Sequence, residues 1–164
     1  MVGLAPGLRG ANRTGRPFTG DYAGELLYST LHRHGFANDA FDARVDDGLV
    51  LTDCLVTNAV RCLPPQNKPT AEEVNACRGF LAARIAATPR LRVIVTLGRI
   101  AHDSVVRALG GRPSQAPFGH GAVATLGDVT LCASYHCSRY NTNTGRLTAP
   151  MFDAVFAEAR RVIG

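Results

Sequence analysis

The sequence predicts an α/β fold, a three-layer α/β/α sandwich around a central, mostly parallel sheet of four strands. Three observations predict it. Three short segments are β-branched and almost continuously apolar, as strands covered on both faces are. Longer helical patterns alternate with them, and glycine-rich or polar loops follow the strand ends. Such alternation implies a doubly wound sheet with right-handed crossovers. A chain of 164 residues suits one domain over 1–164 with one sizeable core.

The opening "MVGLAPG" reads as the end of a first strand running into a glycine-rich loop, so strand one is largely missing. A central strand cut this short leaves buried backbone groups of its neighbours unpaired, so its remainder is expected upstream of residue 1. The first helical pattern runs from Gly24 ("GELLYSTLHRHG"). Strands follow at 51–60 ("LTDCLVTNAV"), 91–98 ("LRVIVTLG") and 129–135 ("VTLCASY"). A second helix begins after Thr70, where Thr70 and Glu73 have the spacing of a capping box. A third starts at Arg99 ("RIAHDSVVRALGG") and a last near Pro150 ("APMFDAVFAEARRVI"). There is no repeat, linker or low-complexity tract.

Hydrophobic residues make up 46% of the chain and charged ones 19%, an ordinary balance for a soluble globule. No apolar run approaches the roughly 20 residues that span a bilayer. The first residues lack the basic and apolar regions of a signal peptide, so a cytoplasmic location and no membrane partner are expected. A net charge of +5 and a pI near 9.3 fit a polyanionic partner without requiring one. Five cysteines, an odd count without secretory marks, favour free thiols or metal ligation over a disulfide framework.

In an open parallel sheet, ligands bind beyond the carboxyl ends of the strands. Three segments converge there: "GLAPGLRGANRTGRPFTGD" from Gly3, "TNAVRCLPP" from Thr57 and "SYHCSRYNTNTGRLT" from Ser134. On residue type alone each polar or aromatic member has two readings. Phe18 is a core side chain or a stacking face, and Asn58 a strand-end turn former or a reader of a base edge. His136 is structural or a donor to developing negative charge, and Asp21 a helix cap or a catalytic carboxylate.

These segments resemble the uracil-DNA glycosylase superfamily, most closely its family 5, the UDGb type. "GLAPG" (Gly3 to Gly7) with "GRPFTGD" (Gly15 to Asp21) matches the first motif region, "TNAVRC" the middle one and "HCSRYN" (His136 to Asn141) the "HPSxxN" motif. The resemblance covers essentially the whole chain, with three motifs in order at three strand ends. It implies a monofunctional, monomeric enzyme that hydrolyses the N-glycosidic bond of uracil, and potentially of other deaminated bases, in double- or single-stranded DNA, starting base excision repair. Such an enzyme draws the base from the stack, stacks its face and reads its edge.

By that resemblance Phe18 stacks on uracil, Asn58 reads its edge, and Gly3, Leu4, Ala5, Pro6 and Gly7 form the substrate loop. His136 hydrogen-bonds the uracil O2 as charge develops on the base. Ser138 and Asn141 hold the lesion-strand phosphates or the loop itself, and Arg139 adds charge near DNA. Leu4 stands where many superfamily members carry a polar or acidic residue, and it cannot activate water. The resemblance points instead to Asp21, which with His136 makes the catalytic pair.

Families 4 and 5 hold an iron–sulfur cluster on four cysteines. Cys62 and Cys77, either end of "CLPPQNKPTAEEVNAC", match the second pair. The resemblance therefore implies a [4Fe-4S] cluster in the full-length protein, with two of its four ligands in this chain and the others expected upstream. Cys54 and Cys132 read as buried small hydrophobes, and Cys137 is a departure at the motif's proline position. The chain as written is expected to lack a stable cluster.

Two other functions compete. A catalytically inactive DNA-binding or iron–sulfur sensing protein of the same fold would not need Phe18, Asn58, His136 and Asp21 together. An enzyme acting on a free nucleotide is disfavoured, because the chain has neither a Walker lysine loop nor a full GxGxxG.

Overall fold

The structure is a computed structural model describing residues 1–164. Its elements in chain order are β1 (Val2–Gly3), α1 (Ala11–Thr14), α2 (Tyr22–Arg33), β2 (Thr57–Asn58), α3 (Ala71–Ala86), β3 (Val93–Leu97), α4 (Arg99–Ala108), β4 (Val123–Leu126), β5 (Val129–Ser134), α5 (Arg139–Asn143) and α6 (Ala149–Ile163). Short 3₁₀ turns lie at Pro65–Asn67 and Pro113–Gln115.

The sheet has five strands, not the four expected, in the order β2-β1-β3-β5-β4. β1, β2, β3 and β5 are parallel, and β4 returns antiparallel to β5. The extra strand forms a hairpin through a two-residue turn, Gly127–Asp128, with Gly127 at φ 60°. Its four residues alternate between exposed and half-buried, a far weaker pattern than the buried runs of β3 and β5. Those two runs pair residue for residue, from Val93 with Thr130 to Leu97 with Ser134.

The expected strand over 51–60 shrinks to Thr57–Asn58. A strand needs a partner, and β1 offers only Val2 and Gly3, which pair with Thr57 and Asn58. Leu51 instead makes an isolated bridge with Ala37. The short first strand itself matches the sequence reading.

Successive side chains of a strand face opposite sides, and β3 divides its residues accordingly. Val95 and Leu97 join Leu27, Tyr28, Leu31, Phe152 and Phe156 of α2 and α6 in one core layer. Ile94 joins Leu81, Val105 and Val106 of α3 and α4 in the other. Each such side chain, fully buried, contributes about 1.5–3 kcal/mol as an upper bound. The capping box at α3 is formed: the Glu73 N–H donates to Thr70 Oγ1 (3.2 Å) and the Thr70 N–H to the Glu73 carboxylate (2.7 Å). At α6, Thr148 caps the Met151 N–H at 3.3 Å. No helix is long and apolar enough to cross a membrane. Gly3, Asn58, Gly98 and His136 all lie at or just beyond carboxyl ends of parallel strands, on one edge of the sheet.

Candidate active site at the carboxyl ends of the strands

The loop between α1 and α2 is pinned from several sides. The Arg16 guanidinium makes two 2.8 Å hydrogen bonds to Asp47, and its Nε donates to Thr19 Oγ1 at 2.7 Å. The Tyr28 hydroxyl donates to the Pro17 carbonyl at 2.6 Å. Between these anchors Phe18 takes φ 55°, a backbone state a bulky residue adopts at a cost of order 1–3 kcal/mol. Its carbonyl packs directly on Gly24 of α2, where a Cβ has no room. The Phe18 ring is buried in the first core layer yet reaches the site, 5.9 Å from the His136 ring and inclined 30° to it. The core reading holds, and the same ring also forms a wall beside His136.

Asn58 at the end of β2 meets the same ring across Gly3. A Cβ on Gly3 would come within 2.6 Å of Asn58 Oδ1 and 2.7 Å of Phe18 Cζ, so only glycine lets these two side chains lie there. Asn58 Oδ1 is buried and has no hydrogen-bond partner. An orphaned buried acceptor costs about 1–3 kcal/mol, which a ligand N–H would recover. The glycine-rich loop continues from Gly3. The Leu4 carbonyl accepts from Val60 (2.9 Å), Ala5 and Pro6 are half-buried, and the Gly7 carbonyl accepts from Gly10 and Asn12 (both 3.1 Å) at the start of α1.

Asp21 occupies the N-cap position of α2 but its side chain makes no capping hydrogen bond there. One oxygen lies against Gly10 and Gly7; the other, Oδ1, is buried without a partner. Burial raises its pKa above the ordinary value. The backbone N–H groups of Gly24 and Ala23 are near enough to offset this in part. The helix-cap reading is right in position and wrong in bonding.

His136 follows β5. Its ring nitrogens make no hydrogen bond within the protein, and burial alone pushes its pKa down to about 4, so the imidazole is neutral at pH 7. The rest of its loop is internally braced. Asn141 Nδ2 donates to the His136 carbonyl at 2.8 Å, and Ser138 Oγ accepts from the Asn141 N–H at 3.3 Å as the N-cap of α5. Of the two roles open to Ser138 and Asn141, the geometry displays the loop-holding one. Cys137 is wholly buried, donating its thiol to the Ala23 carbonyl at 3.6 Å, and burial pushes its pKa up to about 12. It ties the His136 loop to the helix that begins beside Asp21. The Arg139 guanidinium stacks over Tyr22, 5.0 Å from the ring centre.

Cys62 is exposed in the loop after β2 and Cys77 is half-buried on α3. Cys54, Cys132 and Cys137 lie apart from them, in or against the core layer formed with α2 and α6, and no three His, Cys, Asp or Glu side chains cluster as a metal site. Cys62 and Cys77 supply two thiolates, half of a four-thiolate set, and by themselves do not fit a [4Fe-4S] cluster.

Sequence reasoning does not single out Arg99, Phe118, Tyr135 or Arg146, which gather beside His136 around a cavity of about 270 Å³. Tyr135 and Arg146 lie in the strand-end segment from Ser134 already placed at this edge, Gly98–Arg99 opens a helix directly after a strand, and Phe118 carries no local signal.

Comparison with known proteins accords with this geometry. The model of the uracil DNA glycosylase superfamily matches residues 1–160. A type-5 uracil-DNA glycosylase of Thermus thermophilus is 49% identical over 165 residues, covering 100% of this chain and 75% of that protein. One of Mycobacterium tuberculosis is 43% identical over 167 residues, covering 100% of this chain and 62% of that protein. A type-4 enzyme of Pyrobaculum aerophilum is more distant, 33% identical over 142 residues, 83% of this chain and 64% of its own. The chain thus spans three quarters of the Thermus protein and less than two thirds of the Mycobacterium one. With three motif loops on one sheet edge and a family match along nearly its whole length, this chain belongs to the uracil DNA glycosylase superfamily.

Proposed function

We propose that this protein is a DNA glycosylase that hydrolyses the N-glycosidic bond of uracil in DNA and so starts base excision repair. One observation carries the reading: two buried acceptor oxygens without partners, Asn58 Oδ1 and Asp21 Oδ1, at an edge where Phe18 and a neutral His136 also meet. Buried polar atoms are as a rule satisfied. His34 Nε2, Arg78 Nε and Ser104 Oγ also make no hydrogen bond, and the two orphans at this edge are the ones that a ligand lying there would satisfy.

Uracil is complementary to that set. Its N3–H would satisfy Asn58 Oδ1, its O4 would accept from Asn58 Nδ2, and its face would rest on Phe18. As the C1′–N1 bond breaks, the electron pair leaves with the base and the sugar becomes cationic. A neutral His136 donating to O2 stabilises the uracil anion, because a positioned donor in a dry site needs no reorganisation. Asp21, ionised, favours the sugar cation and takes a proton from the water whose oxygen adds to C1′. Cytosine carries an acceptor at N3 and a donor at N4, so in that pose acceptor would face the acceptor Asn58 Oδ1 and donor would face the donor Asn58 Nδ2. The domain is read as a single unit over 1–164 acting as a monomer.

The test is single-turnover excision by the 164-residue chain from a labelled duplex carrying one uracil, beside the same duplex carrying cytosine. After alkaline treatment, which cleaves the strand at an abasic site, scission is expected only in the uracil duplex. Folded protein that leaves uracil in place would move the assignment to the inactive DNA-binding alternative.

A further inference from the structure

We propose that His120 is a positioning residue: it braces the backbone of Tyr135 and so holds the neighbouring His136 where it acts on the departing base. The proposal rests on the glycosylase reading for what His136 does.

His120 stands just before the β4–β5 hairpin, where the backbone ladder between the two strands runs out. The last rungs belong to Ala133, whose N–H donates to the Ala122 carbonyl (2.9 Å) and whose carbonyl accepts from the Gly121 N–H (2.8 Å). In an antiparallel pair the next N–H on that side lies two residues on, at Tyr135. It donates to His120 Nδ1 at 3.2 Å, so an imidazole stands in for a backbone carbonyl and extends the ladder by one rung. The same ring stacks on that of Tyr135, with 5.1 Å between centres and an inclination of 27°.

The His136 ring makes no hydrogen bond within the protein, so its direction is set by its backbone and its packing. Three bonds fix that backbone. Besides the His120 bond, the Tyr135 carbonyl accepts from Ser134 Oγ and the His136 carbonyl from Asn141 Nδ2, each at 2.8 Å. Ser134 and Asn141 belong to the segment that carries His136, whereas His120 reaches it from 15 residues away. The loop that presents His120 is itself rooted. Buried His102 donates from Nε2 to the Ala116 carbonyl (2.8 Å), and its Nδ1 accepts from Thr96 Oγ1 on β3 (2.9 Å). Only an unprotonated Nδ1 can accept an N–H. Burial lowers the His120 pKa, opposed in part by the Met151 backbone in α6, and so keeps that form at pH 7.

The experiment measures single-turnover uracil excision and binding of an undamaged duplex for the wild type, H120A, H120N and H120F, each also combined with H136A. Asparagine puts an amide oxygen close to the place of Nδ1, so H120N should keep most of the rate. H120F keeps a ring without the acceptor and should fall together with H120A, by about 10–100-fold, the scale of a small misplacement of a reacting group. Duplex binding should not change. Combined with H136A, none of the three should lower the rate further, because a residue that acts through His136 has nothing left to position. A second arm follows hydrogen exchange of the Tyr135 amide by NMR, expected to be slow in the wild type and H120N and fast in H120A and H120F, and thermal melts check that each variant folds. Folded H120A that excises at the wild-type rate overturns the proposal. So does H120F at full rate, which would make the ring a packing element, or a loss that adds in full to that of H136A. If the wild type does not excise uracil, the glycosylase reading fails and the amide decides the brace: fast exchange in H120A keeps it and unchanged exchange overturns it.

Discussion

Asp21 and Asp47 are both aspartates withdrawn from solvent near the Phe18 loop, and the protein treats them in opposite ways. The Asp47 carboxylate has no contact with solvent, although it lies under a thin cover rather than in the core. It accepts four hydrogen bonds: two from Arg16 (2.8 Å each), one from the Asp42 N–H (2.9 Å) and one from the Leu49 N–H (3.0 Å). The Arg16 bonds above all hold its pKa well below the usual carboxylate range. Asp21 has one buried oxygen with no partner, and burial raises its pKa. Satisfied charge anchors a loop, whereas unsatisfied charge is a cost the fold carries for something it binds. The two are coupled, because the Arg16–Asp47 clasp fixes the loop from which Phe18 and then Asp21 are presented.

The sharpest way to break this contrast is to remove each carboxylate in turn. Asp21→Ala is expected to lower single-turnover excision by about 10²–10⁴-fold with Tm unchanged. A variant that melts early, with excision reduced only in proportion to the folded fraction, would make Asp21 a structural residue like Asp47. His136→Ala should cost about 10²–10³-fold, the usual effect of losing one donor to developing negative charge. Because burial pushes the His136 pKa down to about 4 while it raises that of Asp21, which must be ionised to act, the wild-type rate should carry an acid limb set by Asp21 and none set by His136 near the ordinary histidine range of 6.5. A His136 ring titration near 6.5, followed by NMR, would show that the imidazole is not enclosed as described.

On the other side of the contrast, Arg16→Ala leaves Asp47 buried and unpaired. A loss of about 3 kcal/mol is expected, lowering Tm by roughly 6–12 °C. Excision should survive below the new transition, slowed as the Phe18 loop loosens. If Arg16→Ala instead abolished excision with no change in Tm, the clasp would be part of the chemistry rather than its support.

Which of these features could be read from the sequence follows from their range along the chain. β3, β5 and the four long helices declare themselves through local apolar runs, periodicity and the Thr70–Glu73 cap. β4 was missed because half its residues face solvent, although the Gly127–Asp128 turn before a buried strand was a usable signal. The extent of β2 is not a local property: it is set by how many residues of β1 stand beside it. The site divides similarly. Phe18, Asn58, His136 and Asp21 are legible because strand-end loops of a parallel sheet share one edge, and because their motifs have a family likeness. The Arg16–Asp47 clasp, 31 residues apart, and the convergence of Arg99 with Arg146 depend on tertiary packing, and no local pattern announces them.

The smallest effect expected also tests the contrast most directly, since it differs between the two aspartates in sign. For Asp47 the folded pKa lies below the ordinary 3.8, so its ionisation stabilises the fold above that pH, and the contribution is lost as pH falls through the folded value. Asp47→Asn should therefore lower Tm at pH 7, with the deficit shrinking in strong acid. For Asp21 the folded pKa lies above 3.8, so the unfolded chain releases its proton first as pH rises. The fold then carries a cost at every pH above the folded value. Asp21→Asn should leave Tm at pH 7 unchanged or raise it, and any gain should vanish below the ordinary aspartate range, where both carboxyls are protonated. Melting curves of the two asparagine variants at neutral and acid pH read both signs in one series. A drop in Tm for Asp21→Asn at pH 7 would mean that its carboxylate is bound within the protein after all and is not held open for a substrate.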